Sequence, residues 1–90
     1  MNEDLEDRVL STEASYKVWC REHGVVVTPD GRVGESDAAV LLGYGNSGSL
    51  KNLRQQGFGP PHYLRVVAGA KVSYRLSDLA IWVEKSRNED

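Results

Sequence analysis

Ser36-Asp37-Ala38-Ala39-Val40-Leu41-Leu42-Gly43-Tyr44-Gly45-Asn46-Ser47-Gly48-Ser49-Leu50-Lys51-Asn52-Leu53-Arg54-Gln55-Gln56-Gly57 reads as two short helices and the turn between them. Ser36 is a cap, Asp37 places an acid at the positive end of the helix, and Gly43 closes it. Tyr44-Gly45-Asn46 forms the turn. Ser47 or Asn46 caps the second helix, Leu50 and Leu53 point inward with part of the Arg54 stem, and Gly57 ends it. Ser49, Lys51, Asn52, Gln55 and Gln56 are left for the other faces.

Downstream, Pro60-Pro61 forbids helix and holds an extended connection. Strands at 63–67 and 71–75 follow, joined around Ala68-Gly69-Ala70. A period of two puts Leu64, Val66, Val72 and Tyr74 on one face and Arg65, Lys71, Ser73 and Arg75 on the other. The predicted hairpin is apolar beneath and basic above. Ser77 then caps a last helix, with Leu76 stapled to Ile81 and with Leu79, Trp82 and Val83 facing the core.

Upstream, residues 1–8 are acidic, lack a cap and read as frayed. Helical spacing appears at Val9, Tyr16, Trp19, Cys20 and His23, with Ser11 or Thr12 as N-cap and Gly24 as the stop. Val25-Val26-Val27-Thr28, the turn Pro29-Asp30-Gly31 and Arg32-Val33 predict a small hairpin. The sequence reads as free of internal repeats and low-complexity tracts. The expected architecture is α+β: a winged helix-turn-helix over residues 35–87, preceded over residues 1–34 by an additional N-terminal helix and short β-hairpin.

Charge is segregated along this chain. Residues 38–77 contain no Asp or Glu but five cations, Lys51, Arg54, Arg65, Lys71 and Arg75, although the formal net charge is −2. A local basic window on a compact supersecondary unit is the footprint of a surface that meets a polyanion. The second helix would present its N-terminal half to the major groove of double-stranded DNA, using Asn46, Ser47, Ser49, Lys51, Asn52, Arg54 and Gln55. The hairpin is the wing, where Arg65, Lys71, Ser73 and Arg75 would meet the adjacent backbone.

The runs Ala38-Ala39-Val40-Leu41-Leu42-Gly43, Leu50 to Gly57, Gly59-Pro60-Pro61 and Val72-Ser73-Tyr74-Arg75-Leu76-Ser77-Asp78-Leu79-Ala80-Ile81-Trp82 resemble the small excisionase and AlpA-type proteins. That group is related to the MerR-like winged helix-turn-helix domains, and the similarity covers about residues 35–85. The resemblance implies an excisionase (recombination directionality factor) or small transcriptional regulator of a phage or mobile element. It also implies an integrase or other protein partner and cooperative assembly on DNA. Three departures stand out. The turn Tyr44-Gly45-Asn46 is one residue longer than usual, Lys51, Asn52 and Leu53 replace frequent aromatic and arginine positions, and residues 9–34 are an addition.

Other function classes fit less well. His23 and His62 are isolated from each other and from Cys20, so no zinc ligand set is expected. Gly43-Tyr44-Gly45-Asn46-Ser47-Gly48-Ser49 lacks the Gly-Lys-Ser/Thr ending of a phosphate loop. No nucleophile is paired with a histidine, so neither an enzyme nor a cofactor is expected. One cysteine cannot form an internal disulfide, and the acidic N-terminus is unlike a signal peptide, which together suit the cytoplasm. No membrane span is expected. The alternative from another class is a protein-interaction adaptor that uses the winged-helix scaffold to recruit a recombinase or polymerase partner. A packaging-type small terminase subunit ranks lower, since the C-terminal tail lacks a long coiled segment.

Overall fold

Val33 and Tyr74 face each other across a two-stranded antiparallel sheet, and both are fully buried. Around this pair the computed structural model, which describes residues 4–64 and 69–88, is a small α+β fold. Its order is α1 (Leu5–Glu22), β1 (Arg32–Gly34), α2 (Glu35–Leu41), α3 (Ser47–Gln55), β2 (Ser73–Arg75) and α4 (Leu76–Lys85). The register pairs Arg32 with Arg75, Val33 with Tyr74 and Gly34 with Ser73.

Each strand runs directly into a helix, and the two strand–helix units are versions of one another. Ser36-Asp37-Ala38-Ala39-Val40 in the first corresponds to Ser77-Asp78-Leu79-Ala80-Ile81 in the second, and the same offset matches Val33 to Tyr74. Because the matched residues Val33 and Tyr74 are also paired antiparallel, an approximate two-fold axis of the sheet passes between them. Burial follows it: Ala38, Ala39, Leu79 and Ala80 are buried, whereas Val40 and Ile81 are exposed. Contrary to the expectation from sequence, the chain therefore contains a short internal repeat, residues 33–40 with 74–81, too short and too substituted to be seen along the sequence.

The shared design also corrects both expected caps. Ser36 and Ser77 lie in the first turn, and the caps are Gly34 and Arg75, neither with a side-chain capping bond. The last strand residue acts as the cap, so no loop separates strand from helix. The Leu76 N–H is satisfied instead by the Gly31 carbonyl at 2.8 Å. Leu76, at the first position of α4, is fully buried rather than lying before a cap.

The upstream hairpin is not formed as expected. Its turn exists, with the Gly31 N–H donating to the Thr28 carbonyl at 2.8 Å and Thr28 N–H to the Arg32 carbonyl at 3.0 Å. Residues 25–28 are not part of the sheet, and β1 pairs across the chain with β2. Val33 is the reason: against Tyr74 it is sealed in the core, whereas Val26 and Val27 stay exposed. Downstream, Tyr63 meets Ser73 in a single antiparallel bridge, N–H to carbonyl at 2.8 and 2.9 Å. Leu64 is in no strand, and the remaining residues of the predicted outer strand, Arg65, Val66 and Val67, lie outside the described residues.

α1 begins at Leu5, so the expected cap at Ser11 or Thr12 lies well inside the helix and residues 5–8, read as frayed, are helical. Asp4 caps it by accepting the Asp7 N–H at 2.8 Å. Its start is held against α4: Arg8 Nε donates to Glu84 Oε1 at 3.1 Å and Thr12 Oγ1 to Glu84 Oε2 at 2.7 Å. Burial, then the Glu84 charge, push the Tyr16 phenol up from its ordinary pKa. One core joins Cys20 of α1 to Val33, Ala38, Ala39, Leu50, Tyr74, Leu76 and Leu79, with Trp19 half-buried against it. Each fully buried Val or Leu side chain there contributes about 1.5–3 kcal/mol.

α1, α2 and α3 end alike. In α2 the Tyr44 N–H returns to the Ala39 carbonyl at 2.9 Å and the Gly43 N–H to the Val40 carbonyl at 3.0 Å, a Schellman closure. Gly43 sits at φ +88°, a region that costs an L-residue roughly 1–2 kcal/mol. This sharp stop redirects the chain across Tyr44-Gly45 and launches α3 against α2. Among the described residues no helix is long and apolar enough to cross a membrane.

Candidate nucleic-acid interface

α3 starts where Asn46 leaves extended backbone and its Oδ1 accepts the Ser49 N–H at 3.2 Å. Gly48 makes this cap feasible, because a Cβ there would lie 2.9 Å from Asn46 Oδ1. Leu50 is buried and Leu53 half-buried, which fixes the rotation of the helix. Ser47, Lys51 and Gln55 then follow one exposed row at four-residue spacing, with Asn52 exposed beside them. The capping bond leaves the Asn46 side-chain NH2 available as a donor. Ser49 is half-buried.

Beside this row runs an open groove of about 340 Å³. Ser47, Lys51 and Arg54 of α3 form one wall, Ala70, Lys71 and Val72 the other, with Glu35 and Ser36 at the start of α2. Lys51 and Lys71 are exposed and have neither ion pair nor side-chain hydrogen bond among the described residues. They are the free charge of the groove.

Arg54 is not free. Its Nε donates to Glu35 Oε2 at 2.8 Å and its Nη2 to Glu35 Oε1 at 3.1 Å, a bidentate pair whose side chains are 18% and 15% exposed. The buried Tyr74 hydroxyl donates to the same Oε2 at 2.7 Å. Burial pushes the Glu35 carboxyl up, but the bonds from Arg54 and Tyr74 outweigh it, and its pKa lies below the ordinary value. Glu35 in turn raises the Arg54 pKa, and burial followed by Glu35 pushes the Tyr74 phenol well above its own. Charged partners, short distances and low exposure make this a strong junction. It joins α2, α3 and β2.

The expected basic face of the wing is also corrected. Ser73 is fully buried, its Oγ accepting from Arg32 Nη1 at 3.0 Å, and Leu64 is 74% exposed. Arg75 lies opposite Arg32, a like-charge cross-strand pair that would repel. Asp30 resolves it, accepting from Arg32 Nε at 2.9 Å and Arg75 Nη2 at 3.3 Å. The Tyr63 ring lies under both guanidinium groups, with centroids 5.6 and 5.3 Å away. The Thr28 hydroxyl bond, then those from Arg32 and Arg75, hold the Asp30 carboxyl down at about 2. Arg75 is therefore tied to the sheet through Asp30, although its side chain stays 40% exposed.

The structure thus brings Ser47, Lys51 and Lys71 to one groove, with Asn46, Asn52 and Gln55 on the exposed side of α3. It places Arg54, Ser73 and Arg75 in structural roles, and Arg65 lies outside the described residues. Sequence reasoning missed Glu35 and Ser36 as neighbours of this groove and Tyr74 as a partner of Glu35. Glu35 lies only three residues before the acid-free window, a proximity that a linear charge count cannot register.

A second groove, of about 490 Å³, lies between α1, residues 25–31 and the start of α4. Its charges are mixed, with Lys17, Arg21 and Arg75 against Glu13 and Asp30. Burial and then Asp37 push the Cys20 thiol up, which disfavours a nucleophilic thiolate. Among the described residues no three His, Cys, Asp or Glu side chains are grouped to hold a metal ion. No protein-family model, curated protein or solved structure matches this chain.

Proposed function

We propose that this chain is a double-stranded DNA-binding protein of winged helix-turn-helix type. α3 enters the major groove through Asn46, Ser47, Lys51, Asn52 and Gln55, and the segment bearing Lys71 contacts the adjacent phosphate backbone. The observation that carries this reading is the pair of unpartnered lysines, Lys51 and Lys71, on opposite walls of one open groove beside an exposed row of amides and hydroxyls. The groove's one carboxylate, Glu35, is already neutralised by Arg54. Lysines suit phosphate contacts, and Asn52 can pair bidentately with adenine.

The excisionase-like or small-regulator role rests on the resemblance of residues 35–85. With few free cations, affinity for one copy is modest and gains from several copies side by side. A protein-partner activity is favoured by different residues: Leu5, Leu10 and Ile81 remain exposed around an apolar groove between α1 and α4. The two readings place their contacts on different residues and are separable.

Fluorescence anisotropy with a random-sequence duplex tests the first reading. Each phosphate contact adds about 0.9 to the slope of log affinity against log salt. Lys51→Ala and Lys71→Ala should each flatten that slope by about this amount. Binding that neither substitution changes contradicts the proposed interface.

A further inference from the structure

We propose that Glu35 is a positioning residue of this interface, holding α3 at its angle to α2 and β2 and withholding the Arg54 guanidinium from DNA phosphate. The inference rests on the DNA-binding reading and assigns a role within it. Arg54 is on the helix proposed to enter the groove and forms part of the wall shared with Lys51, so charge alone would make it a phosphate contact. Its geometry argues otherwise. Both carboxylate oxygens of Glu35 are engaged by Arg54, at 2.8 and 3.1 Å, and one also accepts from Tyr74 at 2.7 Å.

The repeat shows that a carboxylate is not what the scaffold itself requires here. The matched position in the second strand–helix unit is Leu76, buried in the core. The Glu35 side chain is only 15% exposed, at a junction of three elements. Taking a carboxylate out of water is unfavourable unless its lone pairs are satisfied, and here the satisfying donors come from Arg54 on the wall of the groove and from Tyr74 in β2, directly after its other wall. A guanidinium held in a fork by a carboxylate has fixed direction, so it orients α3 rather than following a phosphate. Among the described residues of the groove, the free charge left to meet DNA is that of Lys51 and Lys71.

Salt titrations of a random-sequence duplex with wild type, Glu35→Gln and Arg54→Gln separate these roles, with folding checked by circular dichroism. Arg54→Gln should leave the salt slope unchanged, because Arg54 holds no phosphate in the wild type. Glu35→Gln should release Arg54 to the backbone and steepen the slope by about 0.9. A slope flattened by about 0.9 in Arg54→Gln would overturn the proposal, as would an unchanged slope in folded Glu35→Gln. If Glu35→Gln does not fold, the Arg54→Gln slope decides alone. A wild type that binds no duplex at all overturns the DNA reading together with this role. Wild-type binding with the wrong variant slopes overturns only the role.

Discussion

The two strand–helix units place the same sequence pattern on either side of Val33 and Tyr74 and put it to different uses. In the second unit, Leu76 and Leu79 are sealed in the core and α4 packs along α1, tied through Glu84 to Arg8 and Thr12. In the first, the position of Leu76 is taken by Glu35 and that of Leu79 by Ala38, and α2 packs against α3. A small residue at Ala38 and a carboxylate at Glu35 suit a partner helix held by a polar bond at its end. One unit anchors the fold, and the other presents α3.

The most disruptive way to break this comparison is to make the halves alike. Leu76→Glu should bury a carboxylate with neither an Arg54 nor a Tyr74 to satisfy it. We expect a loss of about 3–5 kcal/mol in denaturant unfolding, enough to threaten a domain of this size. A loss below about 1 kcal/mol would show that the first position of α4 tolerates what α2 uses. A smaller change sharpens the comparison from the other side. Tyr74→Phe keeps the central ring but removes its bond to Glu35, and should cost about 1.5 kcal/mol. An unchanged melting temperature would mean that Tyr74 serves the sheet alone.

Acid separates the two carboxylates associated with the first unit. Both have folded pKa values below their unfolded ones, so each contributes stability that is complete above the unfolded pKa and lost as pH falls through the folded value. For Asp30 the loss runs from 3.8 to about 2, whereas for Glu35 it begins below 4.5. Carboxyl-carbon NMR titration should find Asp30 still ionised at pH 3, and Asp30→Asn should remove the stability change in that lower interval. An Asp30 midpoint near 3.8 would remove its role in reconciling Arg32 with Arg75.

How legible this arrangement is along the sequence depends on the range of the interactions. The helix–turn–helix of residues 36–57 is readable because its punctuation is local: Asn46 caps α3, and Gly43 and Gly57 accept left-handed backbone where each helix must stop. β1 is only three residues long, and its local turn points to residues 25–28 as a partner. Burial of Val33 against Tyr74 overrides that turn. Alternation misplaces Ser73, because the Arg32 guanidinium makes a buried hydroxyl tolerable there. The charge window counts Arg54 and Arg75 as surface cations, yet Glu35 and Asp30, both upstream of the window, reach into it in space. Among the described residues, Lys51 and Lys71 are what the count retains as free.

The most direct test of the central claim is residue-by-residue amide NMR of the folded chain titrated with duplex DNA. The proposed interface predicts shifts concentrated at residues 46–55 and 69–72, with the α1–α4 face unmoved. Shifts confined to α1, α4 or residues 25–28, or none at all, would contradict it.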